Sequence, residues 1–82
     1  MKFRVSVTQE VEVELDETKF TAEFMAEFVE SFYPLKTIEQ HAGHIAQLEA
    51  RDLLRPFTEG YGPIEEMGIS AKVIDLETEV HN

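Results

Sequence analysis

Between Phe3 and Leu15 the chain alternates almost without fault. Phe3, Val5, Val7, Val11, Val13 and Leu15 are apolar, Gln9 is the one exception on that parity, and Arg4, Ser6, Thr8, Glu10, Glu12 and Glu14 are polar. A period of two sustained over this length, rich in Val and free of Gly and Pro, predicts a β-strand with one face buried and one wet. The whole chain has 82 residues, 43% of them hydrophobic, with no cysteine. A chain this size removes only about 60 to 65% of its unfolded surface from water, so it is read as one domain, residues 1–82, held by one modest core without disulfides. Six Phe and two Tyr supply bulky material for that core.

After the strand, Asp16 to Thr18 offer N-caps, and Phe20, Phe24, Phe28 and Phe32 recur every four residues with Met25, Val29 and Tyr33 beside them. This predicts a helix ending before Pro34, because a residue that precedes proline is steered away from helical geometry. Thr37 and Gln40 have capping-box spacing, and Ile38, Ala42, Ile45, Leu48 and Leu53 carry a second helix to about Arg55. Phe57 to Gly68, with Gly60, Gly62 and Pro63, reads as a loop with a helical turn at Pro63 to Met67. Ile69, Ala71 and Val73 alternate on odd numbers and Ile74, Leu76 and Val80 on even ones, which predicts a second strand with a bulge at Val73/Ile74.

The order is therefore strand, helix, helix, strand: an α+β domain of βααβ type, a two-stranded antiparallel sheet packed on one face against two helices. Charges favour the antiparallel arrangement. A register summing to about 82 sets Lys72 opposite Glu10 and Ser70 opposite Glu12, and the slip then brings Arg4 near Glu77 or Glu79. A parallel register would oppose Glu10 and Asp75, and like charges directly opposite destabilise a sheet. Two strands leave open edges. The glutamates of the first helix gather in a wedge of about 60° while its apolar residues spread over roughly 240°, more than one stripe needs. Two covers for that arc stand: a second subunit, or the second helix with Phe57 and Tyr61.

The net charge of -10, from 17 Asp and Glu against 7 Lys and Arg, opposes direct binding of nucleic acid or anionic membranes, which both need cationic side chains. No apolar run approaches the roughly 18 residues of a membrane span and no basic leader is present, so the chain is read as cytosolic. No catalytic motif emerges. His41 and His44 are three apart on one helix face and His81 is a third imidazole, but without cysteine or a defined carboxylate partner they are read as solvated or hydrogen-bonded, with no metal and no cofactor. Ser6, Ser31 and Ser70 lack a nucleophile elbow, and Gly60-Tyr61-Gly62-Pro63 lacks the lysine and long helix of a phosphate loop. The chain is read as a non-enzyme.

What remains is the placement of acids. Two acidic blocks, residues 10–30 and 59–79, flank a neutral middle. Glu10, Glu12, Glu14 and Asp16 repeat every ~6.7 Å along the polar strand face, close to the spacing of phosphates along one nucleic-acid strand. Glu23, Glu27 and Glu30 form a second row, with steps of about 4.5 to 6 Å along the first helix. Such rows suit a basic, phosphate-binding surface of another protein; they also suit plain solvation. Phe57 and Tyr61 are read either as an aromatic anchor for a partner or as packing over the ends of the core.

Small size, strong acidity, the rows Glu10/Glu12/Glu14 and Glu23/Glu27/Glu30 and the lack of an enzymatic motif together resemble the small phage and mobile-element proteins that inhibit host defence, anti-CRISPR proteins above all. The resemblance is one of type over the whole chain. It implies a protein acting in the bacterial cytoplasm as a DNA mimic, occupying the basic DNA- or guide-binding surface of a CRISPR effector subunit. The other class of reading is a structural, assembly or antitoxin-like partner that binds through the apolar face of the first helix.

Overall fold

The computed structural model describes residues 1–81. Its frame is a ribbon of two long antiparallel strands, β1 (Arg4–Glu14) and β4 (Ser70–His81), joined through helices α1 (Ala22–Ser31) and α2 (Ile38–Ala50) and a two-residue-strand hairpin, β2 (Phe57–Thr58) and β3 (Gly62–Pro63). The α+β class and the βααβ order hold, with the small hairpin added where the sequence read as loop. Its strands of two residues are too short to leave a periodic signal, and the turn that follows does form, with Met67 N–H donating to the Pro63 carbonyl at 3.4 Å.

Local chemistry explains the other boundaries. Asp16 caps a single 3-10 turn (Glu17–Lys19), and Thr21, accepting from the Phe24 N–H at 3.1 Å, caps α1 itself. The expected single helix from Asp16 is thus split, because two good N-caps lie five residues apart. α2 opens on the expected capping box, with Gln40 N–H donating to Thr37 and the Gln40 side chain accepting from the Thr37 N–H. It stops at Ala50 rather than Arg55. Asp52 adopts φ 55°, Leu53 N–H donates to the Leu48 carbonyl and Asp52 N–H to the Glu49 carbonyl, which is the Schellman pattern that satisfies the last turn.

The bulge falls where the phase slip places it, between Val11↔Val73 and Glu10↔Asp75, with Ile74 as the extra residue. The register does not. Lys72 lies opposite Glu12 instead of Glu10, Ser70 opposite Glu14 instead of Glu12, and Arg4 opposite His81, diagonal to Glu79 on the same face without forming an ion pair with it. Glu10 does face Asp75, the very pairing used against a parallel sheet. Faces survive this two-residue error because side chains repeat every two residues.

α2 makes the main helical contact with the ribbon, and α1 contributes Phe24 and Phe28 to the core that Val13 and Ala71 of the strands also join. The core sits between them: Phe20, Phe28, Ile45, Tyr61 and Ile69 are buried, with Val13, Ala71 and Ile38 packed around them. Phe28 is its hub, its ring 4.7 Å from that of His41 in an edge-to-face arrangement and 5.1 Å from that of Tyr61. Tyr61 therefore covers the phenylalanine face of α1 from within the chain. Phe57 does not pack over the core, being 70% exposed. The far half of the ribbon projects beyond the other described elements, and the molecule measures 51 × 23 × 20 Å with a radius of gyration of 15.2 Å, against about 12 Å for a compact domain of this length.

Candidate functional site

Residues paired directly across an antiparallel ribbon share a face. One face accordingly carries Ser6, Thr8, Glu10, Glu12 and Glu14 from β1 opposite Glu79, Glu77, Asp75, Lys72 and Ser70 from β4. The carboxylates on it form a file. Glu14 and Glu12 run along β1, Glu10 meets Asp75, and Glu77 and Glu79 continue along β4, so the row crosses from one strand to the other at the bulge. It extends for about 27 Å, with a carboxylate every ~6.8 Å. Six carboxylates stand there against Arg4 and Lys72, and all six are on exposed residues.

Few of these charges are neutralised within the chain. Among the described residues the ion pairs are Arg55 with Asp52 at 3.6 Å and, when His81 is protonated, His81 with Glu79 at 3.9 Å. Lys72 faces Glu12 in the register without joining it in an ion pair. At the far end Ser6 Oγ and His81 Nε2 share a hydrogen bond of 2.8 Å, which ties the strand ends together. Shallow depressions beside Glu12, Glu14 and Lys72 and beside Ser6, Thr8 and Glu77 mark the face without forming a cleft.

Of the residues expected from the sequence, Glu10, Glu12 and Glu14 belong to this file. Asp16 does not, since it lies beyond the end of β1 and its carboxylate accepts from the Thr18 N–H at 3.0 Å and the Thr18 hydroxyl at 2.6 Å. Those two bonds hold its carboxyl below the usual Asp range, and Asp16 is a cap. Glu23, Glu27 and Glu30 are exposed on α1 and not on the ribbon, so they form a second acidic surface rather than an extension of the first. Asp75, Glu77 and Glu79 are the members the sequence reading left out. Their signal was present: beyond the slip the odd positions of β4 are the acids, and placing the bulge assigns them to the polar face.

α1 has a further surface. Ala22, Met25, Ala26 and Val29 stand at i, i+3, i+4 and i+7 and line, with Lys36, an open groove of about 390 Å³ on the side away from the phenylalanines. This is the part of the wide apolar arc that neither α2 nor Tyr61 covers.

His41 and His44 face the aromatic core. His41 is fully buried, its Nδ1 2.8 Å from the Tyr61 hydroxyl, and its Nε2 has no hydrogen-bond partner. Burial pushes its pKa down; the Leu35 backbone pulls the other way without meeting hydrogen-bond geometry, and His44 adds a small repulsion. Burial likewise raises the Tyr61 phenol and lowers His44. Among the described residues no three His, Asp or Glu side chains are grouped to hold a metal, and no helix is long and apolar enough to cross a membrane. No protein-family model, curated protein or solved structure matches the chain.

Proposed function

We propose that this is a non-enzymatic binding protein of the anti-CRISPR type, which lays the acidic face of its ribbon onto a basic nucleic-acid-binding surface of a host defence complex and blocks access of the nucleic acid. One observation carries the reading: the file from Glu14 to Glu79, regularly spaced on a projecting arm and largely without cationic partners. Carboxylates held in a row at about phosphate spacing offer Lys and Arg of a phosphate-binding groove the contacts they otherwise make with nucleic acid. The projecting arm gives the row access to a groove that a compact acidic surface would not enter. Glu23, Glu27 and Glu30 on α1 supply a second, separate charged surface for the same class of partner.

The test is capture from a bacterial lysate containing CRISPR effector complexes, followed by binding of the retained complex at increasing salt. The expected result is an affinity that falls steeply with salt and is lost on Glu10→Lys/Glu12→Lys/Glu14→Lys, and again on Asp75→Lys/Glu77→Lys/Glu79→Lys. Binding that ignores both triple reversals would overturn the reading. The groove along Ala22, Met25, Ala26 and Val29 favours the second reading, an assembly or antitoxin-like partner bound through α1; salt-indifferent binding abolished by Met25→Glu would establish it instead.

A further inference from the structure

The face of the ribbon opposite the carboxylates is apolar, and over its far half none of the described residues covers it. Val5 pairs with Val80, Val7 with Thr78 and Gln9 with Leu76, so the paired residues of this face include no charge. Phe3 precedes it, Ile74 and Val73 extend it at the bulge, and Val7, Leu76 and Val80 are each more than half exposed. A two-stranded ribbon is marginal alone in water. This one is stable at its base because α2 covers it and has no such support at its far end.

We infer that the face is covered by a second copy of the chain, ribbon against ribbon, in a two-fold dimer whose centre is a small β-sandwich. The area is of the right order. Seven apolar side chains, each about half exposed, offer on the order of 600 Å² per copy, approaching the ~800 Å² per partner of a stable interface and at the top of the ~300–600 Å² range for the largest patch of an ordinary monomer. Charge selects the same arrangement. With a net charge of -10, two copies repel wherever acidic surfaces meet, and both the opposite ribbon face and the Glu23/Glu27/Glu30 wedge of α1 are acidic. The uncharged face is self-complementary, and apposing it sends the two carboxylate files to opposite outer surfaces. With ~10 Å between stacked sheets those files stand roughly 20 Å apart, beyond the ~8 Å Debye length of physiological salt. The dimer does not depend on what the carboxylates bind.

The experiment is sedimentation of the purified chain over a concentration series. A species of twice the 9.4 kDa chain mass is expected. Val7→Glu/Leu76→Glu should sediment as the monomer. Should that pair disturb folding, Val5→Thr/Val7→Thr/Val80→Thr keeps strand-forming, β-branched side chains and should weaken association at least about tenfold. Glu10→Lys/Glu12→Lys, on the other face, should leave the dimer intact. A wild-type chain that stays monomeric at every concentration overturns the inference and leaves the face to a different protein. A dimer that survives the threonine triple variant overturns it too, placing the contact elsewhere, with the α1 groove next to be tested by Met25→Glu.

Discussion

At the base of the ribbon Val13 and Ala71 pack against the buried core; at the far end Val5, Val7 and Val80 are about half exposed. Both halves have the same alternation, the same Val-rich composition and the same antiparallel pairing. A period of two thus assigns side chains to faces and is silent on what covers a face. A strand that packs on its own helix and one that packs on another molecule are written alike.

Substitutions separate the two halves by size of effect. Phe28→Ala, which empties the centre of the aromatic cluster, should cost about 3 to 5 kcal/mol, read from the urea midpoint at unchanged slope. Gly68→Ala should cost at least ~2 kcal/mol, since φ is +65° and a Cβ there would run into Asp16 at the end of β1. A loss under about 1 kcal/mol would mean that the junction between the 3-10 turn and the start of β4 is slack. Thr37→Ala should cost about 1 kcal/mol by removing the capping box that starts α2 over the ribbon base. Val7→Ala at the far end should change monomer stability by less than ~0.5 kcal/mol. Should it match the loss at Ile45→Ala, the far half would be packed in solution as firmly as the base.

The core beneath α2 also carries a pH dependence. His41 and His44 are lowered on folding, chiefly by burial, so the unfolded chain binds more protons than the native one in their titration range. Stability is complete above the ordinary imidazole value of about 6.5 and falls as pH drops through that value toward the depressed native ones. Thermal melts from pH 8 to 5 should show that fall, and His41→Phe should flatten it. A decline unchanged by His41→Phe would trace it to His44 or to carboxylates instead.

Much of this was legible. The alternation of β1, the phenylalanine repeat of α1, the Thr37 capping box and the slip at Val73/Ile74 each report a local preference strong enough to stand without tertiary help. The register was not. Opposing Lys72 to Glu10 assumed that the sheet minimises like-charge contacts, but on a fully wet face the Glu10/Asp75 repulsion is small and screened, and the packing of Val13 and Ala71 into the core outweighs it. The end of α2 was missed because an aspartate, not a glycine, takes the left-handed position after it. Within the candidate site, Glu10, Glu12 and Glu14 were visible as a strand pattern. Asp75, Glu77 and Glu79 needed the bulge to be used for assigning faces, and Asp16, offered both as an N-cap and as the end of the row, is the cap.

The bulge at Ile74 acts as a reading-frame correction in space. Counting outward from Val11↔Val73, a regular ladder would set Ile74 opposite Glu10 and throw Asp75, Glu77 and Glu79 onto the face with Val5 and Val7. One supernumerary residue restores the parity of everything beyond it. Deleting Ile74 would therefore leave both faces as they are, whereas deleting Leu76 or Glu77 with the bulge kept in place would exchange charged for apolar from that point to the tip. One position of β4 can lose a residue with no change of face; beyond it, the same loss keeps the tip in frame only if the bulge is given up.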